Sequence, residues 1–222
     1  MRAFRISLYA MLVVFLVSVF VLAQEYEVAV KPGDYWVYTI TGYEDYDWIK
    51  VEVESVSGTM VVFRSTIHRT DGTELTGSFR VDILGGSTAY DPTFGGLLPG
   101  GATPVIIPSN LKAGDKIVTP GMDITVVGEE EGSYGGAKRK ILLVMFIIEG
   151  VVGETYARYD QEKGVLCEIK PGAWYGNYGI TLSETNLWEK ESDNTLLLAA
   201  GGGGVAVITV ILILVVMRRR KG

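Results

Sequence analysis

Ile49-Lys50-Val51-Glu52-Val53-Glu54 alternates apolar and charged side chains at every step. Successive side chains of a strand point to opposite faces, so a period of two predicts a strand with one dry and one wet face. Such strands belong to antiparallel sheets. The neighbouring sequence extends the pattern both ways. Residues 35–41, Tyr-Trp-Val-Tyr-Thr-Ile-Thr, make a strand opened by the turn Pro32-Gly33-Asp34. Ser57-Gly58-Thr59 turns the chain into a strand over 60–70. Asp71-Gly72 then reads as a type I′ hairpin, with φ > 0 at both central positions, and residues 73–84 return. These segments predict a meander.

The second half follows the same style. Strands are expected over 116–119, 122–127, 141–148, 154–159, 165–170 and 178–188. Residues 141–148 are eight apolar residues in a row after Lys138-Arg139-Lys140. That run is too short to cross a bilayer and predicts a central strand buried on both faces. No segment between the termini has a sustained 3.6-residue period. Val30-Lys31-Pro32-Gly33-Asp34 is echoed by Leu111-Lys112-Ala113-Gly114-Asp115, which points to one kind of turn used twice ahead of a strand. The expected fold class is all-β: an antiparallel meander forming a strongly curved sheet, a half-barrel or a sandwich.

The ends of the chain carry membrane signals. Arg2 and Arg5 precede an apolar run over 6–22, and Val21-Leu22-Ala23 supplies the small residues that signal peptidase reads. Residues 1–23 are therefore a signal peptide, or an uncleaved signal anchor. Residues 196–217 are free of charge, and as a helix they would extend about 33 Å, against a bilayer core of about 30 Å. Arg218, Arg219, Arg220 and Lys221 follow as a stop-transfer cluster that holds the C-terminus in the cytoplasm. The expected organisation is an extracellular β domain over 24–188, a stalk over 189–195, a transmembrane helix over 196–217 and a basic tail over 218–222. Localisation follows: a single-pass protein of the cell membrane.

Charge narrows the partners. Residues 24–194 hold all 26 acidic residues and 14 of the 20 basic ones, a net charge of −12. That excludes nucleic acid, whose phosphates need basic surface. Cys167 is alone, so no internal disulfide supports the fold. His68 is alone too, and Gly-x-Ser-x-Gly is absent, so neither a nucleophile–base pair nor a zinc site is spelled out. Asp45 and Asp47 lack the rest of an EF-hand loop. No catalytic residue, metal ligand or cofactor is expected.

Two segments are candidates for ligand contact. Tyr43-Glu44-Asp45-Tyr46-Asp47-Trp48 combines stacking rings with carboxylates, as a sugar- or calcium-binding loop does. A second aromatic cluster is Trp174-Tyr175-Gly176-Asn177-Tyr178. The plainer reading is a hairpin tip with Trp48 packed inward. Residues 85–108 form a long Gly/Pro-rich segment that includes Leu97, Leu98, Ile106 and Ile107. It either covers the core or lines an apolar cavity, and covering is favoured because exposed apolar loops are costly.

Taken in order, Gly33-Asp34-Tyr35-Trp36-Val37-Tyr38, Leu111-Lys112-Ala113-Gly114-Asp115, Tyr159-Asp160-Gln161-Glu162-Lys163-Gly164-Val165-Leu166 and Thr185-Asn186-Leu187-Trp188 resemble a group of uncharacterised archaeal single-pass cell-surface proteins with a β-rich ectodomain. The resemblance covers most of residues 30–222. It implies architecture and location, since its motifs are turns and strands. The chain is also similar to the curved half-barrel of lipoprotein-carrier domains. The expected function is a membrane-anchored extracellular binding or cell-envelope module without catalysis, whose partners are the membrane and an envelope protein, glycan or lipid. One alternative is a half-barrel carrier of a lipid or apolar ligand. A second is a carboxylate-dependent glycoside hydrolase.

Overall fold

The computed structural model describes residues 26–84, 88–89, 104–119, 122–148, 155–171 and 177–190. The expected signal peptide, transmembrane helix and basic tail lie outside these residues. Among the described residues, no helix is long and apolar enough to cross a membrane. The chain divides into two compact units, residues 1–188 and 189–222. Every described strand lies in the first.

Alternation at 49–54 becomes the middle of a twelve-residue strand. In chain order the strands are β1 (Tyr35–Thr41), β2 (Tyr46–Ser57), β3 (Met60–Arg69), β4 (Glu74–Asp82), β5 (Thr88–Ala89), β6 (Lys116–Thr119), β7 (Met122–Tyr134), β8 (Ala137–Ile148), β9 (Thr155–Asp160), β10 (Leu166–Ile169) and β11 (Gly179–Thr185). They form one antiparallel sheet in the order β5-β4-β3-β2-β1-β11-β10-β9-β8-β7-β6. Each neighbour pair but one is consecutive in sequence. The exception is β1 against β11, which joins the two halves of the chain. The outermost strands, β5 and β6, do not pair, so the sheet is open.

One face of this sheet is apolar along its whole width. Trp36, Tyr38, Ile49, Val51, Phe63, Ile67, Val144, Phe146 and Tyr159 are all fully buried there. Trp36 meets Phe63 edge-on at 5.7 Å, and Phe63 stacks on Phe79 at 5.1 Å. Such ring pairs add about 0.5–1.5 kcal/mol beyond their buried area. The segment 104–111 packs on the same face, with Val105, Ile106, Ile107 and Leu111 each 1% exposed. Two tyrosine hydroxyls cross the core: Tyr159 donates to the Pro104 carbonyl at 2.6 Å, and Tyr38 to the Leu166 carbonyl at 2.9 Å. Ile107 N–H donates to the Gly164 carbonyl at 2.8 Å, and Ile106 bridges Val165.

The echoed pentapeptides fold alike. Gly33 has φ 88° and Gly114 φ 94°. Lys31 N–H reaches the Asp34 carboxylate at 2.9 Å, and Lys112 N–H the Asp115 carboxylate at 2.8 Å. Gly33 N–H donates to Val53, and Gly114 N–H to Val126. Directly after each acceptor the second strand carries a bulge, between Val53 and Ser55 and between Val126 and Gly128.

Four expectations change. Asp71 does not take φ > 0; only Gly72 does, at 85°. The loop is a type I turn closed by a left-handed glycine, and Asp71 turns inward to accept from Thr73 N–H at 2.9 Å and Thr73 Oγ1–H at 2.6 Å. Residues 141–147 are buried on both faces only at their start: Leu142, Val144 and Phe146 are buried on one face, whereas on the other Ile141 is buried, Leu143 and Met145 are half-buried and Ile147 is exposed. β7 and β8 run well past the expected 122–127 and 141–148. They meet at Gly135-Gly136, with φ 56° and 82°, in a hairpin that the apolar pattern did not mark. Trp48 does not pack inward; it is half-buried on the opposite, outer face, across from His68.

Candidate functional site

The β7–β8 hairpin extends beyond the end of β9, and its last cross-strand pairs are Glu131 with Lys140, Gly132 with Arg139, Ser133 with Lys138 and Tyr134 with Ala137. This places Lys138, Arg139 and Lys140 at the rim of the sheet. The β9–β10 turn contributes Gln161 and Glu162, while the second copy of the repeated turn presents Lys112. Together with Ser109, Asn110 and Leu111 they surround a cleft of about 590 Å³. Leu111 is buried beneath it.

Arg139 organises the cleft wall. Its Nε donates to Asp160 Oδ2 at 2.7 Å and its Nη2 to Glu162 Oε2 at 2.7 Å. The Asp160 side chain is wholly buried and also accepts from Lys163 N–H at 2.6 Å. Burial alone would lower the Arg139 pKa, but the bond and charge of Asp160, with help from Glu162, raise it overall. The guanidinium also lies over the Trp188 ring at 4.6 Å, and Trp188 Nε1 donates to the Tyr134 carbonyl at 3.2 Å. Gln161 is fixed at both ends: its N–H donates to Lys140 and its side-chain amide to the Leu111 carbonyl.

The three lysines are arranged differently. Among the described residues, Lys112, Lys138 and Lys140 are exposed and none of their ammonium groups has a carboxylate within ion-pair distance. Arg139 is already neutralised by its partners, so the cleft presents three available cations on a domain whose net charge is strongly negative. Chemically it can hold an anion. Its lining has one carboxylate, Glu162, since Asp160 is sealed beneath Arg139.

Next to it, a second charged network holds β10 to the long hairpin. Arg158 reaches Glu130 at 2.5 Å and Glu168 at 3.4 Å, and Tyr134 donates to Glu168 at 3.0 Å. Burial first, then Glu168, raises the Tyr134 pKa. This network leaves no cation free.

The sequence-expected contact residues divide into three groups. At the other end of the sheet, Tyr43 meets Tyr46 at 5.4 Å and Tyr178 at 5.7 Å, so the two aromatic clusters of the sequence come together. Arg69 sits over the Tyr46 ring at 6.0 Å, and Thr70 N–H binds the Asp45 carbonyl. Asp47 Oδ2 lies 3.1 Å from His68 Nδ1, and Trp48 stacks flat on His68 at 5.1 Å. Ile106 and Ile107 are core residues. Leu97, Leu98, Arg218, Arg219, Arg220 and Lys221 lie outside the described residues. No group of three or more metal-ligating side chains occurs among the described residues. The cleft cations were missed, although the run Lys138-Arg139-Lys140 in an acidic domain was a signal for them.

No family model matches the chain, and no curated protein matches it in sequence. Among solved structures it is similar to a lipoprotein candidate from Parabacteroides distasonis ATCC 8503, at 11% identity, over 73% of this chain and 100% of that one, with a TM-score of 0.41.

Proposed function

We propose that this protein is a single-pass, membrane-anchored extracellular binding module, of the kind it resembles among archaeal surface proteins, and that it binds an anionic group in the cleft between Lys112, Lys138 and Lys140. In this reading the open sheet coils into a half-barrel around residues 104–111, and it works without catalysis. The observation that supports it best is the set of three unpaired lysines around one cleft in a domain of charge −12. Cations gathered at one cleft raise the local positive potential, which draws in a negative group. An envelope glycan or lipid bearing phosphate or carboxylate meets that need.

The carrier alternative requires space on the apolar face. Val105, Ile106, Ile107 and Leu111 occupy that face as close-packed core, which favours a cover over a lid. The hydrolase alternative requires paired carboxylates in a cleft, and this cleft is lined by one. The test is calorimetric titration of the detergent-solubilised full chain with inorganic pyrophosphate at low ionic strength. One-to-one binding that weakens steadily with added salt is expected. Absence of binding at low salt overturns the reading.

A further inference from the structure

We infer that the free edge of β4 is a dimerisation surface, on which a second copy of this chain adds its own β4 antiparallel across a two-fold axis at Thr76. The two edges of the open sheet differ. β6 is four residues long, begins with Lys116 and has Pro120 directly after it in sequence. Short length, lysine and proline are the devices that blunt a sheet edge against pairing. β4 has none of them. It is nine residues long, pairs with β3 throughout without a bulge, and holds neither lysine nor proline. Among the described residues, β5 covers β4 only at Arg80 and Val81. Glu74, Leu75, Thr76 and Ser78 are exposed.

Backbone polarity fixes the register. Arg69 N–H donates to the Thr73 carbonyl and Ile83 N–H to the Thr59 carbonyl, at the two ends of the β3–β4 ladder. Successive residues of an antiparallel strand bond alternately to one neighbour and to the other side. The odd-numbered residues of β4 therefore bond to β3, and Glu74, Thr76 and Ser78 turn their N–H and C=O groups away from it. One antiparallel register uses all three in both copies: Thr76 opposite Thr76, and Glu74 opposite Ser78 of the second copy. It forms about six inter-chain hydrogen bonds, two for each facing pair. The side chains agree with it. Leu75, 40% exposed on the face that buries Phe79, falls opposite Gly77 of the second copy, where no side chain obstructs it. Glu74 stands diagonal to Arg80 of the second copy, within reach of two long side chains. Both are exposed, and neither has an ion-pair partner among the described residues. Every contact occurs twice, as a two-fold interface requires.

The test is disulfide cross-linking of the full chain in detergent. Facing residues on the axis have Cα atoms about 5.5 Å apart, the ordinary span of a disulfide. Oxidised Thr76→Cys protein should therefore run as a covalent dimer on a non-reducing gel. Ser78→Cys is the control: its two copies lie about 13 Å apart along the strands, at roughly 3.3 Å per residue, and should stay uncross-linked. Cys167 is buried and should not contribute. Failure of Thr76→Cys to cross-link, or equal cross-linking of the two variants, overturns the proposal. A second measurement leaves the sequence intact. Amide hydrogen exchange, read residue by residue, should slow at least about tenfold at Thr76 and Ser78 as the protein is concentrated. Thr76→Lys sets two ammonium groups face to face on the axis and should abolish that dependence. Slow exchange at every dilution would mean that the edge is covered from within its own chain, and fast exchange at every concentration that no second copy covers it; either result overturns the proposal.

Discussion

The guanidinium of Arg139 lies 4.6 Å from the centre of the Trp188 ring while it donates to the buried carboxylate of Asp160 at 2.7 Å. One side chain thus joins the long hairpin, the β9–β10 turn and the C-terminal end of the sheet. Its removal strands a buried carboxylate away from water.

Arg139→Gln should cost about 3 kcal/mol, the expected range for breaking a buried ion pair from one side. Glu162→Gln should cost less than about 0.5 kcal/mol, because that carboxylate is exposed. Chemical denaturation of the full chain in detergent, followed by tryptophan fluorescence, separates the two. Equal effects would show that Asp160 does not depend on Arg139.

Gly164 and Gly72 both have φ in the left-handed region, at 69° and 85°. A Cβ on Gly72 meets nothing, whereas one on Gly164 runs into the Ile107 carbonyl. Gly72→Ala should therefore cost about 1 kcal/mol in backbone strain. Gly164→Ala adds the displacement of the 104–111 segment and should cost about 3 kcal/mol. Denaturation midpoints of the two variants check the difference.

Ile106→Ala should destabilise the domain by about 2–5 kcal/mol, as for any fully buried aliphatic, and Ile107→Ala likewise. The native protein should not bind the apolar dye ANS at this face. If instead the segment were a lid over a ligand cavity, stability would be nearly unchanged by either substitution and the dye would bind.

These outcomes bear on what the sequence discloses. The 49–54 alternation and the 35–41 strand were legible because one face of β1 and β2 is wet and the other dry. The repeated Gly-Asp turn was legible because only a left-handed glycine fits there. The β7–β8 tip was not, since its pairs are Glu131 with Lys140, Gly132 with Arg139 and Ser133 with Lys138 before Tyr134 with Ala137, and this run carries no apolar period. The both-faces reading of 141–148 held only in part, because cover on the second face thins from buried Ile141 through half-buried Leu143 and Met145 to exposed Ile147. The cleft escaped for a different reason. It joins residues near 112, 139 and 161, and no local pattern reports that three separate segments meet.

Burial, above all, pushes the Cys167 thiol pKa well above its ordinary value of 9.0. The folded value exceeds the unfolded one, so the neutral thiol contributes its full stability below pH 9.0 and loses it as pH rises from there. Iodoacetamide at pH 8 should label Cys167 at least about 100-fold more slowly in the native protein than in denaturant, since the thiolate is both disfavoured and enclosed. Rapid native labelling would contradict its burial.

The central claim is that Lys112, Lys138 and Lys140 form an anion site. It is tested most directly by titrating the full chain and its Lys112→Gln/Lys138→Gln/Lys140→Gln variant with inorganic pyrophosphate at low salt. At about 1.4 kcal/mol or more per charge-assisted contact, the account predicts a loss of affinity of at least about 100-fold with an unchanged unfolding midpoint. Equal affinity of the two proteins would contradict it.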